Sequence, residues 1–291
     1  IDNKNYVILN GKNNYLNSSA SLGQVYNIIG SGSNNRIVSG SSVVILNGAG
    51  NFSHNSFSTI LNGILNTATT NYSFIANGTG NSITSFAERS VILNGFKNSA
   101  TTKSSVILNG FQNFVTSQSD ERYQLIGNGT NNLVGPNSYA SIINGISNSG
   151  MSLNSFIGSG KFNYIRKGVS SVSTYSAILN GSGNTTYAPF STILNGRFNQ
   201  VSGNSSTVIA GNFHQIKQTA TRSSVLGGSS YTVISADTAV APYLNIRRLP
   251  FGGIYFLTVD PSGYVYKTGL TFSALGTGTI TGAANTGGTH G

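Results

Sequence analysis

The sequence predicts an all-β chain, a parallel β-roll or β-solenoid of about fourteen rungs of ~15 residues with a C-terminal β-hairpin cap, and three observations predict it. First, the phrase Ile-Leu-Asn-Gly recurs verbatim seven times, ending at Gly11, Gly48, Gly63, Gly95, Gly110, Gly181 and Gly196. Seven degenerate copies end at Gly32, Gly78, Gly129, Gly145, Gly160, Gly211 and Gly228. Second, successive glycines lie 15 to 21 residues apart, most often 15, so the unit is 15 with insertions of up to six. Third, 37 of 291 residues are Gly and only 8% are charged, yet the apolar residues fall on the repeat, as they would not in a disordered chain.

Aligned on its glycine, each unit assigns its residues distinct jobs. Three positions before the glycine stands Ile in twelve copies and Val in two, Val208 and Val225. A β-branched residue repeated so strictly belongs to a strand facing a packed interior, where each Ile contributes on the order of 1.5–3 kcal/mol. Two positions before the glycine a large aliphatic recurs in ten of fourteen copies, Leu46, Leu93, Leu108 and Leu194 among them. Neighbouring strand residues point to opposite faces, so Ile inside places Leu outside unless a bulge intervenes. The outward stripe that results marks an interface and predicts a homo-oligomer.

Asn precedes the glycine in most copies and returns three residues after it in twelve, from Asn14 to Asn199. These are turn residues, and stacked identical turns let Asn amides bond from rung to rung. The repetition makes them structural and not an active site. Five residues after the glycine an apolar residue recurs in eleven copies, such as Ile83, Val115 and Ile165, and marks a second strand. Ser holds the position five before the glycine in nine copies, as a small residue at a strand entry. A 15-residue unit thus holds two short strands and two turns. Fourteen of them at strand spacing make a rod on the order of 65 Å long.

Three domains follow. Residues 1–235 form the repeat, 236–270 a capping hairpin region, and 271–291 a Gly/Thr-rich linker to a further module. The hairpin reads as strands at Gly253–Val259 and Tyr264–Lys267 around Asp260-Pro261-Ser262-Gly263, a turn sequence that closes an otherwise open last rung. A chain that starts at Ile1 without Met and stops inside a Gly/Thr tract reads as a fragment of a longer polypeptide.

Composition excludes several chemistries. Without cysteine there is neither a disulfide framework nor a thiolate metal site. The net charge of +10 reflects having six acids, and the basic doublets Arg166-Lys167 and Arg247-Arg248 lack interleaved aromatics, so no nucleic-acid groove is expected. No apolar run approaches a membrane span, so no membrane insertion is expected of this segment. Glycan hydrolysis generally needs two placed carboxylates, and Asp2, Glu88, Asp120, Glu121, Asp237 and Asp260 show no such spacing. His54, His214 and His290 are far apart and suggest neither triad nor metal, so no enzyme and no cofactor is expected.

The binding candidates lie where the period is interrupted, at residues 12–31, 111–128 and 161–180, because insertions emerge as surface loops. They are Tyr15, Tyr26, Arg122, Tyr123, Lys161, Tyr164, Arg166, Lys167 and Tyr175, residue types suited to carbohydrate or protein contact.

The Ser-x-Ile-Leu-Asn-Gly rung with its downstream Asn-x-aliphatic, over roughly residues 6–234, resembles the head repeats of trimeric autotransporter adhesins. Leu257-Thr258-Val259-Asp260-Pro261-Ser262-Gly263-Tyr264-Val265-Tyr266-Lys267 resembles a segment common in phage tail fibres and related bacterial surface fibres. The resemblance implies a left-handed roll and a homotrimer. It also implies an extracellular location on a cell surface or virion, and attachment to a host or prey surface through a glycan or surface protein. The alternatives are a purely structural fibre shaft and, less favoured, a glycan-degrading tailspike. The adhesin repeat is usually a residue or so shorter, with a small residue where this chain has Ile.

Overall fold

The computed structural model describes residues 4–17, 25–84, 86–116, 123–135, 139–166, 175–242, 256–259 and 265–268. Two units follow from the contacts, 1–242 and 243–291. The first is a parallel β-solenoid. Among the described residues it contains a 15-stranded and a 14-stranded sheet, each strand pairing with the strand two further along the chain, so the chain alternates between sheets at every half-turn.

The first sheet is built on the glycine-minus-three residues. In register, Ile92 pairs with Ile107 and Ile107 with Ile126. The second is built on the residues after the Asn, with Ala100 beside Val115 and Val115 beside Val134. Between them runs a third ladder, one residue wide, immediately after each glycine: Phe96 bridges Phe111, which bridges Thr130. The rung therefore has three hydrogen-bonded stations where the sequence suggested two.

Side-chain alternation runs through the inner rungs of the first sheet, whereas its first strand, Lys4–Ile8, is exposed on both faces. Ser105 is buried, Val106 half-buried, Ile107 fully buried and Leu108 41% exposed. No bulge turns Leu inward, so the outward stripe exists. The core is a single file per sheet, Ile45, Ile60, Ile75 and their successors meeting Ile37, Ile83, Val115 and Val201 from the opposite sheet. So narrow a core cannot hold one rung alone; stability comes from stacking neighbours. The serines at the strand entry are bound as well as small: Ser105 Oγ donates to the Thr102 carbonyl at 2.6 Å, and its backbone N–H donates to Ser90 Oγ at 3.1 Å.

The corner after the first sheet explains the Asn-Gly signature. Gly110 has φ +124° and Gln112 φ +52°, and the chain then presents Asn113 inward. Asn113 Nδ2 donates to the carbonyls of Asn109 at 3.3 Å and Gly129 at 2.9 Å, while its Oδ1 accepts the Asn132 N–H at 3.0 Å. The same pattern repeats on neighbouring rungs, for example through Asn98 and Asn163. The buried amides are thereby fully employed, which is what burial of a polar group demands.

The first sheet continues to Ala239–Val240, past residue 235 where the repeat in the sequence ends. The second unit contains an antiparallel hairpin, Phe256–Val259 with Val265–Thr268. Its connecting turn and residues 271–291 lie outside the described residues.

Candidate binding surface

A solenoid multiplies every outward position into a column, so the candidate sites are columns. The first is aliphatic, two residues before the glycine. Leu46, Leu93, Leu108, Ile143, Leu179 and Leu226 lie exposed on it, and Leu61 and Leu194 are half-exposed. Gly30, Ala76, Gly127 and Gly158 interrupt it.

The second column lies at the turn entering the first sheet, six residues before the glycine. Several of its residues adopt left-handed backbone, φ +60° at Phe57, +56° at Tyr72, +59° at Tyr175 and +55° at Phe190, which throws the side chain out. Phe57 stacks on Tyr72 with centroids 4.9 Å apart, and Arg89 lies 6.0 Å from the Tyr72 centroid. Tyr123 stacks on Tyr139 and Tyr175 on Phe190. Further along, Arg222 Nε and Nη2 donate to Asp237 Oδ1 and Oδ2 at 2.7 and 2.8 Å. That hydrogen-bonded pairing holds the Asp237 carboxyl below its usual range. The ring spacings run from 4.9 to 6.3 Å, at or somewhat above the strand spacing of about 4.8 Å, so the pairing of rings on adjacent rungs follows from registry.

The third column is the outward face of the second sheet. The Arg36 guanidinium lies 5.3 Å from the Tyr15 centroid and 5.9 Å from that of Phe52, a cation between two rings in adjacent rungs. Arg166 covers Tyr164 in the same way at 5.1 Å.

The structure distributes the residues singled out by the insertions instead of gathering them. Tyr15 and Tyr164 belong to the third column, Tyr123 and Tyr175 to the turn column, and Tyr26 takes the same register position but inside the strand Val25–Ile29, paired with Asn5. Lys161 sits in the single-residue ladder between Ile146 and Ser182, and Arg166 follows the strand that carries Tyr164. Arg122 and Lys167 lie outside the described residues. Sequence reasoning missed Phe57, Tyr72, Tyr139, Phe190, Arg36 and Phe52. Counting six back from each glycine finds the first four, and four forward finds the last two.

Among the described residues no group of acids or histidines is arranged to hold a metal. Of the six acids, Glu88 and Asp237 are described and lie on well-separated rungs; Asp2, Asp120, Glu121 and Asp260 fall outside. No described helix is long and apolar enough to cross a membrane.

One buried titratable group takes an asparagine's place. His214 occupies the ladder position after Asn199: its backbone N–H donates to Asn199 Oδ1 at 3.0 Å, and its Nδ1 accepts the Tyr231 N–H at 3.2 Å. Nε2 faces the carbonyls of Ala210 and Gly228, the places an Asn amide would bridge, without making a good hydrogen bond to either. Burial pushes the His214 pKa below its ordinary value. A base with a lowered folded pKa lends stability above its unfolded pKa, about 6.5, and that stability is lost as pH falls from there through the folded value. Thermal melts should therefore show weakening as pH falls below about 6.5, and His214→Asn should abolish the His214 part of that dependence while completing the ladder.

No protein-family model matches the chain, and no curated protein matches it. The class established is a parallel β-solenoid repeat protein.

Proposed function

We propose that the chain is the repeat module of an extracellular fibre, in which three copies pack along the aliphatic column and the assembled rod attaches to a host or prey surface glycan. The observation that carries this reading is the aliphatic column itself, left open along the first sheet. Seven of its ten large side chains are 40–46% exposed, Leu9 is 73% exposed, and Leu61 and Leu194 are less so, and covering one contributes roughly 0.6–1.2 kcal/mol. One or two such contacts fall short of the 4–15 kcal/mol that association costs, whereas ten per chain, on the order of 6–12 kcal/mol, become comparable to it. Only a long, in-register contact uses the whole column. The resemblance to trimeric adhesin heads supports three as the number and a surface as the place. Aromatic and cationic columns elsewhere leave contact residues free of that interface.

Two adjacent substitutions test the assembly. Ile107→Asp puts an unpaired carboxylate into the core and should lower stability by more than about 4 kcal/mol. Leu108→Asp should leave the rung folded and convert a threefold species into single chains in light scattering, because three carboxylates would converge where three leucines met. A single-chain mass for the unsubstituted protein would overturn the fibre reading. Adhesion of the assembled protein to cells tests attachment, and absence of adhesion by an intact trimer would favour a purely structural shaft.

A further inference from the structure

The four gaps in the aliphatic column follow a rule. Each strand of the first sheet also turns outward the residue four before the glycine, so every rung shows two outward side chains, two residues apart. In the ten rungs whose minus-two residue is Leu or Ile, the minus-four residue is never larger than Val: Val91 goes with Leu93, Thr192 with Leu194 and Ser141 with Ile143. In the four rungs whose minus-two residue is Gly or Ala, the minus-four residue is large. Ile28 goes with Gly30 and Leu125 with Gly127. Phe74 goes with Ala76 and Phe156 with Gly158. Four large residues placed blindly among fourteen rungs would fall on the four gaps in about one arrangement in a thousand, and positions that vary together share a packing environment. The large residue is also isolated along its own column: Phe156 lies in register between Ser141 and Ala177, and Phe74 between Thr59 and Val91. Water sets no ceiling on a rung's volume, because crowded side chains on an open face tip outward. A packed layer does set one, since added bulk destabilises it and volume-conserving swaps are tolerated best.

We propose that this pairing is a register code: copies of the chain lie parallel and level, rung beside like rung, and the bulky minus-four residue of one copy fills the minus-two gap of its neighbour in the same layer. This deepens the assembly reading above and rests on it. Copies related by rotation about an axis along the stack turn the minus-four column of one toward the minus-two column of the next. Facing sheets about 10 Å apart interdigitate best when a large side chain meets a small one, and each rung offers one of each. Phe74 of one copy thereby meets the Ala76 position of a level neighbour. One rung out of step it would meet Leu61 or Leu93, and the gap at Ala76 would face Thr59 or Val91, so a slip produces an overpacked layer and a void together. The swapped rungs are the second, fifth, eighth and tenth of the fourteen, spaced unevenly, so no slip pairs them all with their like. In a reversed pair each column would face itself, with leucine set against leucine.

The test converts one swapped rung to the majority pattern in the full chain. Ala76 is chosen because it already carries a Cβ, whereas a Cβ at Gly158 would lie 2.5 Å from the Leu179 carbonyl oxygen of the next rung. Ala76→Leu, Phe74→Val and the double variant are compared by the concentration at which the assembly dissociates in analytical ultracentrifugation. Ala76→Leu should weaken association at least about tenfold, and Phe74→Val should weaken it too. The double variant, patterned like Val91 and Leu93, should return to within about threefold of the parent, a non-additivity that marks a shared contact. In the Leu108→Asp single chain the effects of the two substitutions on the denaturant midpoint should simply add. Single variants that associate like the parent, a double variant as weak as both singles combined, or the same rescue inside the single chain would each overturn the register code. If the parent itself sediments as a single chain, the assembly reading falls and the code with it; if the parent assembles but the double variant is not rescued, the assembly reading stands and the code alone falls.

Discussion

Replacing Gly110 by alanine is expected to cost more than about 4 kcal/mol, which places it among the most damaging single-methyl additions a protein can suffer. Two effects add. The backbone at Gly110 has φ +124°, a conformation that side chains rarely adopt. A Cβ there would also run into the Gly129 carbonyl oxygen of the next rung and into Asn113 Nδ2. The colliding atoms are backbone and a buried amide, so no flexible side chain can swing away. Because each rung leans only on its neighbours, a separation here should also split the cooperative transition. Calorimetry of Gly110→Ala should show two endotherms where the parent shows one.

Asn113→Ala is expected to cost about 3–4 kcal/mol in chemical denaturation. The Asn132 N–H would lose its acceptor, Asn113 Oδ1, in a place that water does not reach. A buried unsatisfied donor costs about 1–3 kcal/mol, and the volume left by the amide adds to it. The carbonyl of Gly129 fares better, since the Phe111 N–H still donates to it at 2.9 Å. Asn113→His should cost less than Asn113→Ala. His214 shows that an imidazole can accept the next rung's N–H from the same position.

The contrast between these residues and the surface shows what sequence alone could reveal. Ile107, Gly110 and Asn113 were legible because each performs one job that one residue type does best, and stacking repeats that job on every rung. The outward direction of Leu108 followed from Ile107 by alternation and holds in the structure. The ladder through Phe96, Phe111 and Thr130 was not legible, since a one-residue station has no alternation and tolerates Lys12, Ala49 and Ile64 alike. The turn column was half legible. Tyr26, Tyr123 and Tyr175 drew notice as oddities beside insertions, but Tyr72, Tyr139 and Phe190 did not. What unites them is a count of six back to the glycine, and that relation gains meaning only when neighbouring rungs are laid in register. The insertions mark some candidates, yet the stacked columns explain where they sit.

Hydroxyl-radical footprinting of the assembled protein beside its Leu108→Asp form tests the central claim most directly, namely that the aliphatic column is covered by other copies while the turn column stays open. Leu46, Leu93 and Leu179 should be protected in the assembly and become reactive in the single chain, whereas Tyr72, Tyr175 and Phe190 should be labelled equally in both. Leucines that react alike in the two forms, or tyrosines that become protected on assembly, would contradict the account.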